Sequence, residues 1–549
     1  MRGAGSDGRT EEDGPARPKN RPEAAPGRED KQRPEPAPDR DAKPGSRRKW
    51  LALGVLIAIV AVAALLRFWD LAINPAGIYG DEAAEGLDAA RLLHQPGFHA
   101  DFGVWFTSDG GREALFAYVV AAVYNFTGVT ILALRATAAA FGVAGVIGIW
   151  ALGRRFGEWV GITAAAWAAG SLWLICISRD GMRNTIVPFF GAVALIALLR
   201  WAARPGRGAA LIAGAVTSVA ALYTYQPLKL LPVLAVAWLL WLRRVDRDRS
   251  DRLRAGVVPF AIAFLVVAAP MIAVAITDPT NYFGRAAEVS ALNPGVTSRD
   301  WIPTHILKTI GMFGFFGDGN GRHNVSMLPL LPLPLAGLAA LGLRRLWRSR
   351  RDAASSLILL SLPIFMLPPL IATEGWSPHF LRVLGLAAPL GVTIGLGAAE
   401  FVEWARTRDF HGRPGRGRRA GGAAIAVVAL TLALVAAWSG FVYLDRSAAD
   451  QYEPYRLDIV AAGQYAHDHP NSAVVMDSFS EMNLQLIYWP NPPALFTPGE
   501  RISNPTQYRT IVGLNQADLA SCLGPELAAR AVPIAWDPAR QPSVWAVTP

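Results

Sequence analysis

The chain has 549 residues, 52% of them hydrophobic and 17% charged, a mix too apolar for a soluble globular protein of this length and one that makes a membrane the main solvent. Two cysteines, Cys176 in an apolar run and Cys522 in the polar tail, give neither zinc-ligand spacing nor a disulfide framework, so thiol redox and metal-thiolate chemistry are excluded. The formal net charge of +10 does not argue for nucleic acid, because the arginines cluster between apolar segments, where cytoplasmic loops carry them.

Residues 1–46 are rich in Pro, Arg, Glu, Asp and Gly and almost free of large apolar side chains. Such a segment cannot bury enough surface to offset its chain entropy and is expected to be a disordered cytoplasmic tail. Arg47, Arg48 and Lys49 directly before the first apolar run read as its cytoplasmic flank. Apolar spans are then predicted near 50–69, 130–152, 159–178, 185–202, 209–224, 228–242, 255–276, 326–343, 354–373, 380–403 and 423–443. With eleven crossings, GRRFGE, RWAARPGRG, RRVDRDRSDRLR, RRLWRSRRD and RTRDFHGRPGRGRR all fall inside, as the positive-inside rule asks. The expectation is a multi-pass protein of the plasma (inner) membrane, its N-terminus cytoplasmic and its C-terminal end outside.

The segment EALFAYVVAAVYNFT, 113–127, is apolar enough to read as a further crossing. That reading would put every later arginine-rich loop outside, whereas a short interfacial helix leaves all five inside. The outer face then carries a loop at 70–129, a long loop at 277–325, short turns near 179–184, 223–227 and 374–379, and the tail 446–549. In that tail AVVMD, ALFTP, RTIVGL and SVWAV read as short strands, and 455–467 and the surroundings of Asp518 as helices, which predicts a small extracytoplasmic α/β domain.

Charged residues at the outer ends of apolar segments are the candidates for chemistry. In YGDEAAEGLDAARLL, Asp81 and Glu82 follow a glycine turn and open a helix, an arrangement that equally serves as an N-cap with an acidic first turn. SRDGMRNTIVPFF brings Arg179, Asp180, Arg183 and Asn184 to an outer helix end, and EGWSPHFLRVLGLAAP brings His379 and Arg382. An arginine there either snorkels to headgroups or clamps a phosphate, for which its planar, permanently charged fork is suited. YTYQPLKLLP contributes Tyr223, Tyr225 and Lys229, residue types that also form interfacial belts. The long outer loop holds GDGNGRHN, with Asp318, Arg322, His323 and Asn324.

Taken together, YGDEAAEGLDAARLL, GREALFAYVVAAVYNFTG followed by LRATAAAFGV, SRDGMRNTIVPFF, YTYQPLKLLP and PHFLRVLGLAAP resemble the GT-C membrane glycosyltransferases. The resemblance covers roughly 50–400 and is to the branch holding protein O-mannosyltransferases and the lipid A aminoarabinose transferase. It implies an α-helical integral membrane protein with interfacial helices in the first outer loop. It also implies that Asp81, with Glu82 beside it, is the essential acid. Arg112 and Glu113 would come to the site on the interfacial helix, and Arg135 would open the second span. The family often has prolines where this chain has Glu113 and Ala114, and an acidic residue near Asn184, for which Asp180 is a candidate substitute.

The activity so implied is inverting transfer of a monosaccharide from a polyprenyl phosphate to an acceptor hydroxyl of a glycan, glycolipid or protein. Asp81 would take the hydroxyl proton, and Arg179, Arg183 and Arg382 would hold the departing phosphate. No cofactor is required; a divalent metal on Asp81 and Glu82 is an option, although adjacent helical residues share a face poorly. A flippase for lipid-linked sugar and an oligosaccharide polymerase or ligase are the rival readings. The first should show an internal repeat or paired broken spans, and neither is visible in the sequence.

Overall fold

The computed structural model describes residues 44–94, 103–107, 111–290, 301–372, 377–408 and 416–549. The tail expected at 1–46 therefore lies outside the described residues up to position 43. Helices follow one another almost without interruption: α1 (Pro44–Phe68), α2 (Gly80–His94), α3 (Leu115–Thr127), α4 (Ile131–Gly153), α5 (Glu158–Gly170), α6 (Leu172–Arg179), α7 (Val187–Ala203), α8 (Arg207–Leu222), α9 (Leu231–Val245) and α10 (Arg247–Thr277). After α11 (Pro279–Glu288) and α12 (Ile302–Gly311) come α13 (Leu333–Arg348), α14 (Ala353–Phe365), α15 (Leu367–Ile371), α16 (Ala387–Thr407) and α17 (Arg416–Leu444). A two-residue pair, β1 (Trp105–Phe106) and β2 (Arg112–Glu113), runs antiparallel between α2 and α3.

Among the described residues, seven helical segments are long and apolar enough to cross a membrane, and eight if α5 and α6, bent by 59° at Ser171, make one span. Helices α8, α9 and α13 have only 16, 15 and 16 residues. At about 1.5 Å per residue they fall short of a hydrocarbon core of roughly 30 Å, so length by itself does not reach eleven crossings. Helices α1, α10 and α17 leave apolar side chains such as Leu53, Val258, Leu265 and Leu430 exposed, the signature of a lipid-facing surface. Helix α16 is the opposite case, buried along most of its length and packed against α13, α5 and α17. Its backbone approaches α13 so closely that a Cβ on Gly397 would sit 1.7 Å from the Leu338 carbonyl oxygen, a contact only glycine permits. Trp167, Trp173, Trp201 and Trp238 fill the bundle core.

Helix α3 lies on α2 and α4 and buries Phe116, Ala117, Val120, Ala121 and Tyr124, one stripe at helical spacing, while Phe126 on the other side is exposed. Thirteen residues give only about 20 Å of helix, too little for a span.

Residues 446–549 hold a mixed five-stranded sheet of order β4-β3-β5-β7-β6, built from β3 (Ser472–Val475), β4 (Ala494–Phe496), β5 (Thr510–Gly513), β6 (Val532–Trp536) and β7 (Pro542–Val547). Strands β4, β3 and β5 are parallel, and β7 and β6 are antiparallel to their neighbours. Helices α18 (Ala448–Tyr452), α19 (Leu457–Asp468), α20 (Ser478–Ile487), α21 (Gln516–Leu523) and α22 (Pro525–Ala528) complete the domain. Helix α20 packs on α2, placing Leu486 in the cluster of Leu87, Phe116 and Leu134. The backbone also meets here: a Cβ on Gly77 would lie 2.1 Å from the Tyr455 carbonyl oxygen. The Ala76 N–H donates to Gln451 Oε1 at 3.0 Å, and Asn483 donates to the Ile78 carbonyl at 3.0 Å. The C-terminal domain thus braces the turn that launches α2.

Candidate active site

Helix α2 carries acids at 81, 82, 85 and 88. With 3.6 residues per turn, Asp81, Glu85 and Asp88 fall along one stripe and Glu82 is rotated about 100° away. Each member of the stripe meets an arginine from a different element. Arg322 Nη1 lies 3.9 Å from Asp81, Arg183 Nη1 2.6 Å from Glu85, and Arg112 Nε 3.7 Å from Asp88. Glu85 and Asp88 are buried, at 0% and 3% side-chain exposure, whereas Asp81 retains 32%. Asp81 is the one acid of the stripe that an incoming molecule can reach, and it has the longest of the three ion pairs.

Around the stripe the cations are largely matched by carboxylates. Arg183 also pairs with Glu113 through Nε at 3.1 Å, and Lys229 reaches the other Glu113 oxygen at 3.2 Å. Burial pushes the Glu113 carboxyl up, but Lys229 and Arg183 outweigh it and hold the group below its usual value. At Glu85 burial prevails over Arg183 and Arg112, and the carboxyl is raised. Lys229 stands over the rings of Trp105 and Tyr282, 5.4 and 5.0 Å from their centroids, and Arg183 over Tyr225 at 5.4 Å. Arg183, Arg382 and Asp81 all act electrostatically on Tyr225.

The other wall is the segment 318–324 against 379–382. Buried Asp318 accepts from the Asn320 N–H at 2.8 Å, from the Phe380 N–H at 2.7 Å and from His323 Nδ1 at 3.1 Å, tying the two stretches together. The rings of His323 and His379 are 5.1 Å apart. Burial is the main reason both imidazoles are held below their usual basicity, His379 well below, although Asp318 works in the opposite direction at each. Arg322 lies flat on Tyr79, its guanidinium carbon 3.4 Å from the ring centroid. Asn324 donates to the carbonyls of Asp318 at 3.0 Å and Leu328 at 2.8 Å, so it fastens the loop.

A family model described as dolichyl-phosphate-mannose-protein mannosyltransferase matches residues 114–273. Among solved structures, ArnT from Cupriavidus metallidurans is similar in its apo state with a TM-score of 0.55 at 15% identity, covering 90% of this chain and 98% of that one. The same protein bound to undecaprenyl phosphate gives 0.53 at 16% identity, with the same coverage. The oligosaccharyltransferase of Archaeoglobus fulgidus, tethered to an acceptor peptide containing the NVT sequon, gives 0.50 at 12% identity over 92% of this chain and 74% of that one. The chain has the fold of the GT-C membrane glycosyltransferases. No curated protein sequence matches it.

Within this GT-C fold several expected site residues turn out to be structural. Glu82 is 1% exposed; Arg135 holds both its oxygens, Nε to Oε1 at 2.7 Å and Nη2 to Oε2 at 3.0 Å, and the Gly181 N–H takes Oε1 as well. Arg135 further donates to the carbonyls of Pro75 at 2.7 Å and of Gly77. The pair is a brace between α2, α4 and two turns, with both groups buried and four of the five Arg135 N–H donors engaged inside the protein. Arg179 is likewise corrected: fully buried, it donates to the carbonyls of Leu66 at 3.0 Å and Asn74 at 2.7 Å and cannot reach a phosphate. Tyr223 gives its hydroxyl to the Val267 carbonyl at 2.6 Å, a tie between helices. Buried Arg112 stands behind the site on Asp88, and buried Asn184 contacts the Met182 sulfur at 3.8 Å. The groups brought together are Asp81, Arg322, His323, His379 and Arg382 on one side and Glu113, Arg183, Tyr225 and Lys229 on the other. Sequence reasoning missed Glu85, Tyr79, Trp105, Tyr282 and Tyr455. For Glu85 a signal existed, since it stands four residues after Asp81 on the same helical stripe.

Asp180 is buried and accepts the Tyr455 hydroxyl at 3.0 Å. Burial first, then the charge of Glu82, push its carboxyl up to about 7, against Arg322, Arg135 and the tyrosine. A carboxyl raised in the folded state favours its protonated form. Its stabilising contribution is therefore full below the unfolded value, about 3.9, and is lost as pH rises through about 7. The thermal midpoint of purified protein is expected to fall between pH 5 and 8, and Asp180→Asn, which imitates the neutral acid, to flatten that fall. Equal slopes for both proteins would rule the assignment out.

Proposed function

We propose that the protein moves a monosaccharide from a polyprenyl phosphate to an acceptor hydroxyl on the outer face of the membrane, with inversion at the anomeric carbon. The single observation that carries this is Asp81, the reachable acid of an otherwise buried and neutralised stripe, lying beside Arg322 and, like Arg382, among the charges that act on Tyr225. Asp81 takes the proton of the acceptor hydroxyl, the oxygen attacks the anomeric carbon, and the carbon–oxygen bond to phosphate breaks with its electron pair on phosphate. Arg382 and Arg322 receive that charge. Fixed cations in a partly dehydrated site act on charge as it develops, which is usually the larger share of catalysis. Arg183, already shared by Glu85 and Glu113, contributes less than either. Undecaprenyl phosphate bound to ArnT supports a lipid phosphate as donor, and the exposed apolar faces of α10 and α17 offer a lipid tail its surroundings. The arginine-rich connections, read by the positive-inside rule, support an orientation with the loop 70–129 and residues 446–549 opposite the cytoplasm.

The test is transfer in proteoliposomes supplied with radiolabelled polyprenyl phosphate sugars and cell-envelope extract as acceptor. Incorporation of label supports transfer; movement of the lipid across the bilayer with no incorporation supports the flippase instead. In the same assay Arg382→Ala is expected to raise the donor KM and lower the rate more than Lys229→Ala, because Lys229 is tied to buried Glu113. Equal losses would remove Arg382 from the phosphate site.

A further inference from the structure

Among the described residues, two imidazole nitrogens in the 318–324 and 379–382 wall have no hydrogen-bond partner: Nε2 of His323 and Nδ1 of His379. His323 is 1% exposed, and its other nitrogen is engaged by Asp318 at 3.1 Å. That contact puts the ring proton on Nδ1 and leaves Nε2 a bare lone pair. A buried polar atom without a partner costs roughly 1–3 kcal/mol, so two of them on rings 5.1 Å apart mark a place made for a ligand that accepts electron pairs. One ligating atom from each of Asp318, His323 and His379 lies within 4.8 Å of the others.

We infer that His323 and His379, with Asp318 behind His323, form a site for a divalent transition metal of the zinc class. Two imidazoles select such an ion over magnesium or calcium, which prefer oxygen. The two free nitrogens, His323 Nε2 and His379 Nδ1, are the ligating atoms, at bonds of about 2.0–2.2 Å to zinc, and Asp318 stands on the Nδ1 side of His323. Asp318 behind His323 is the carboxylate–histidine–metal arrangement, which fixes the ring and raises its basicity. Its other partners, the N–H groups of Asn320 and Phe380, hold it in place from both segments. The surrounding charge does not forbid a cation: Arg322 and Arg382 act on these rings, and Asp318 and Asp81 oppose them. Neither cysteine contributes, since Cys176 sits in α6 and Cys522 in α21.

The experiment uses full-length protein purified in detergent without a polyhistidine tag, stripped with chelator and titrated with Zn²⁺ by calorimetry and with Co²⁺ by visible absorption. One metal per chain is expected. Asp318→Asn should weaken binding about 10–100-fold, and His323→Ala and His379→Ala should weaken it more than Asp318→Asn does. A cobalt spectrum in the wild type no different from the aqueous ion overturns the site, whatever the variants do. Wild-type affinity retained by a folded His323→Ala/His379→Ala double variant overturns it too, and leaves water or a sugar hydroxyl as the partner of the two nitrogens. These readouts are independent of sugar transfer, so the metal site and the transfer reading fail separately.

Discussion

Asp81→Asn is expected to lower sugar transfer by about 10²- to 10⁴-fold, the usual contribution of a positioned general base, while leaving helical content and detergent stability unchanged. The two side chains have nearly the same shape, and Asp81 is 32% exposed with Arg322 3.9 Å away. An exposed pair of that length is worth at most about 1 kcal/mol to stability. What the amide loses is the ability to accept a proton. Initial rates at saturating donor, compared with the thermal midpoint of the same preparations, check the prediction. A variant that keeps a third or more of wild-type turnover would dismiss Asp81 as the base. The contrast with Glu85 on the next turn sharpens the test. Glu85→Gln removes the partner of Arg183 in a closed ion pair, so its expected loss appears in stability as well as rate.

Much of the architecture was legible because a membrane protein writes its structure in long apolar runs. Each segment predicted as a span overlaps helix, although 159–178 divides into α5 and α6, 354–373 divides into α14 and α15, and α8, α9 and α13 are short; the helix at 115–127 packs on α2 and α4. In the C-terminal domain the β-branched runs at 472–475 and 510–513 read as strands, whereas β6, VPIAW, was hidden by Pro533. The site was less legible, for a reason of geometry. Sequence showed which charges stand at helix ends but not which of them face each other. Asp81 and Glu82 are neighbours in the chain yet point about 100° apart on the helix, one half-open and the other locked under Arg135. Arg179 and Arg183 are one turn apart, and only the second reaches the acids of α2. The role of Tyr455 could not be read at all, since its partner Asp180 lies 275 positions away.

The brace gives the second large effect. Arg135→Ala is expected to destabilise the protein by about 3–5 kcal/mol, because it leaves the Glu82 carboxylate buried with the Gly181 N–H as its main remaining partner. It also strips the Pro75 and Gly77 carbonyls of their donor, loosening the turn that launches α2. Glu82→Gln should cost less, since the amide still accepts a hydrogen bond. Replacing the pair together, as Glu82→Leu with Arg135→Met, should recover much of the loss because no charge is then stranded. Thermal unfolding of wild type, Glu82→Leu, Arg135→Met and the double variant closes a double-mutant cycle whose coupling energy isolates the ion pair. Activity separates a brace from a catalyst. A brace predicts that activity per folded molecule survives in Glu82→Gln, whereas a catalytic Glu82 predicts a stable, inactive protein. The second outcome would return Glu82 to the reaction and require Arg135 to release it during turnover.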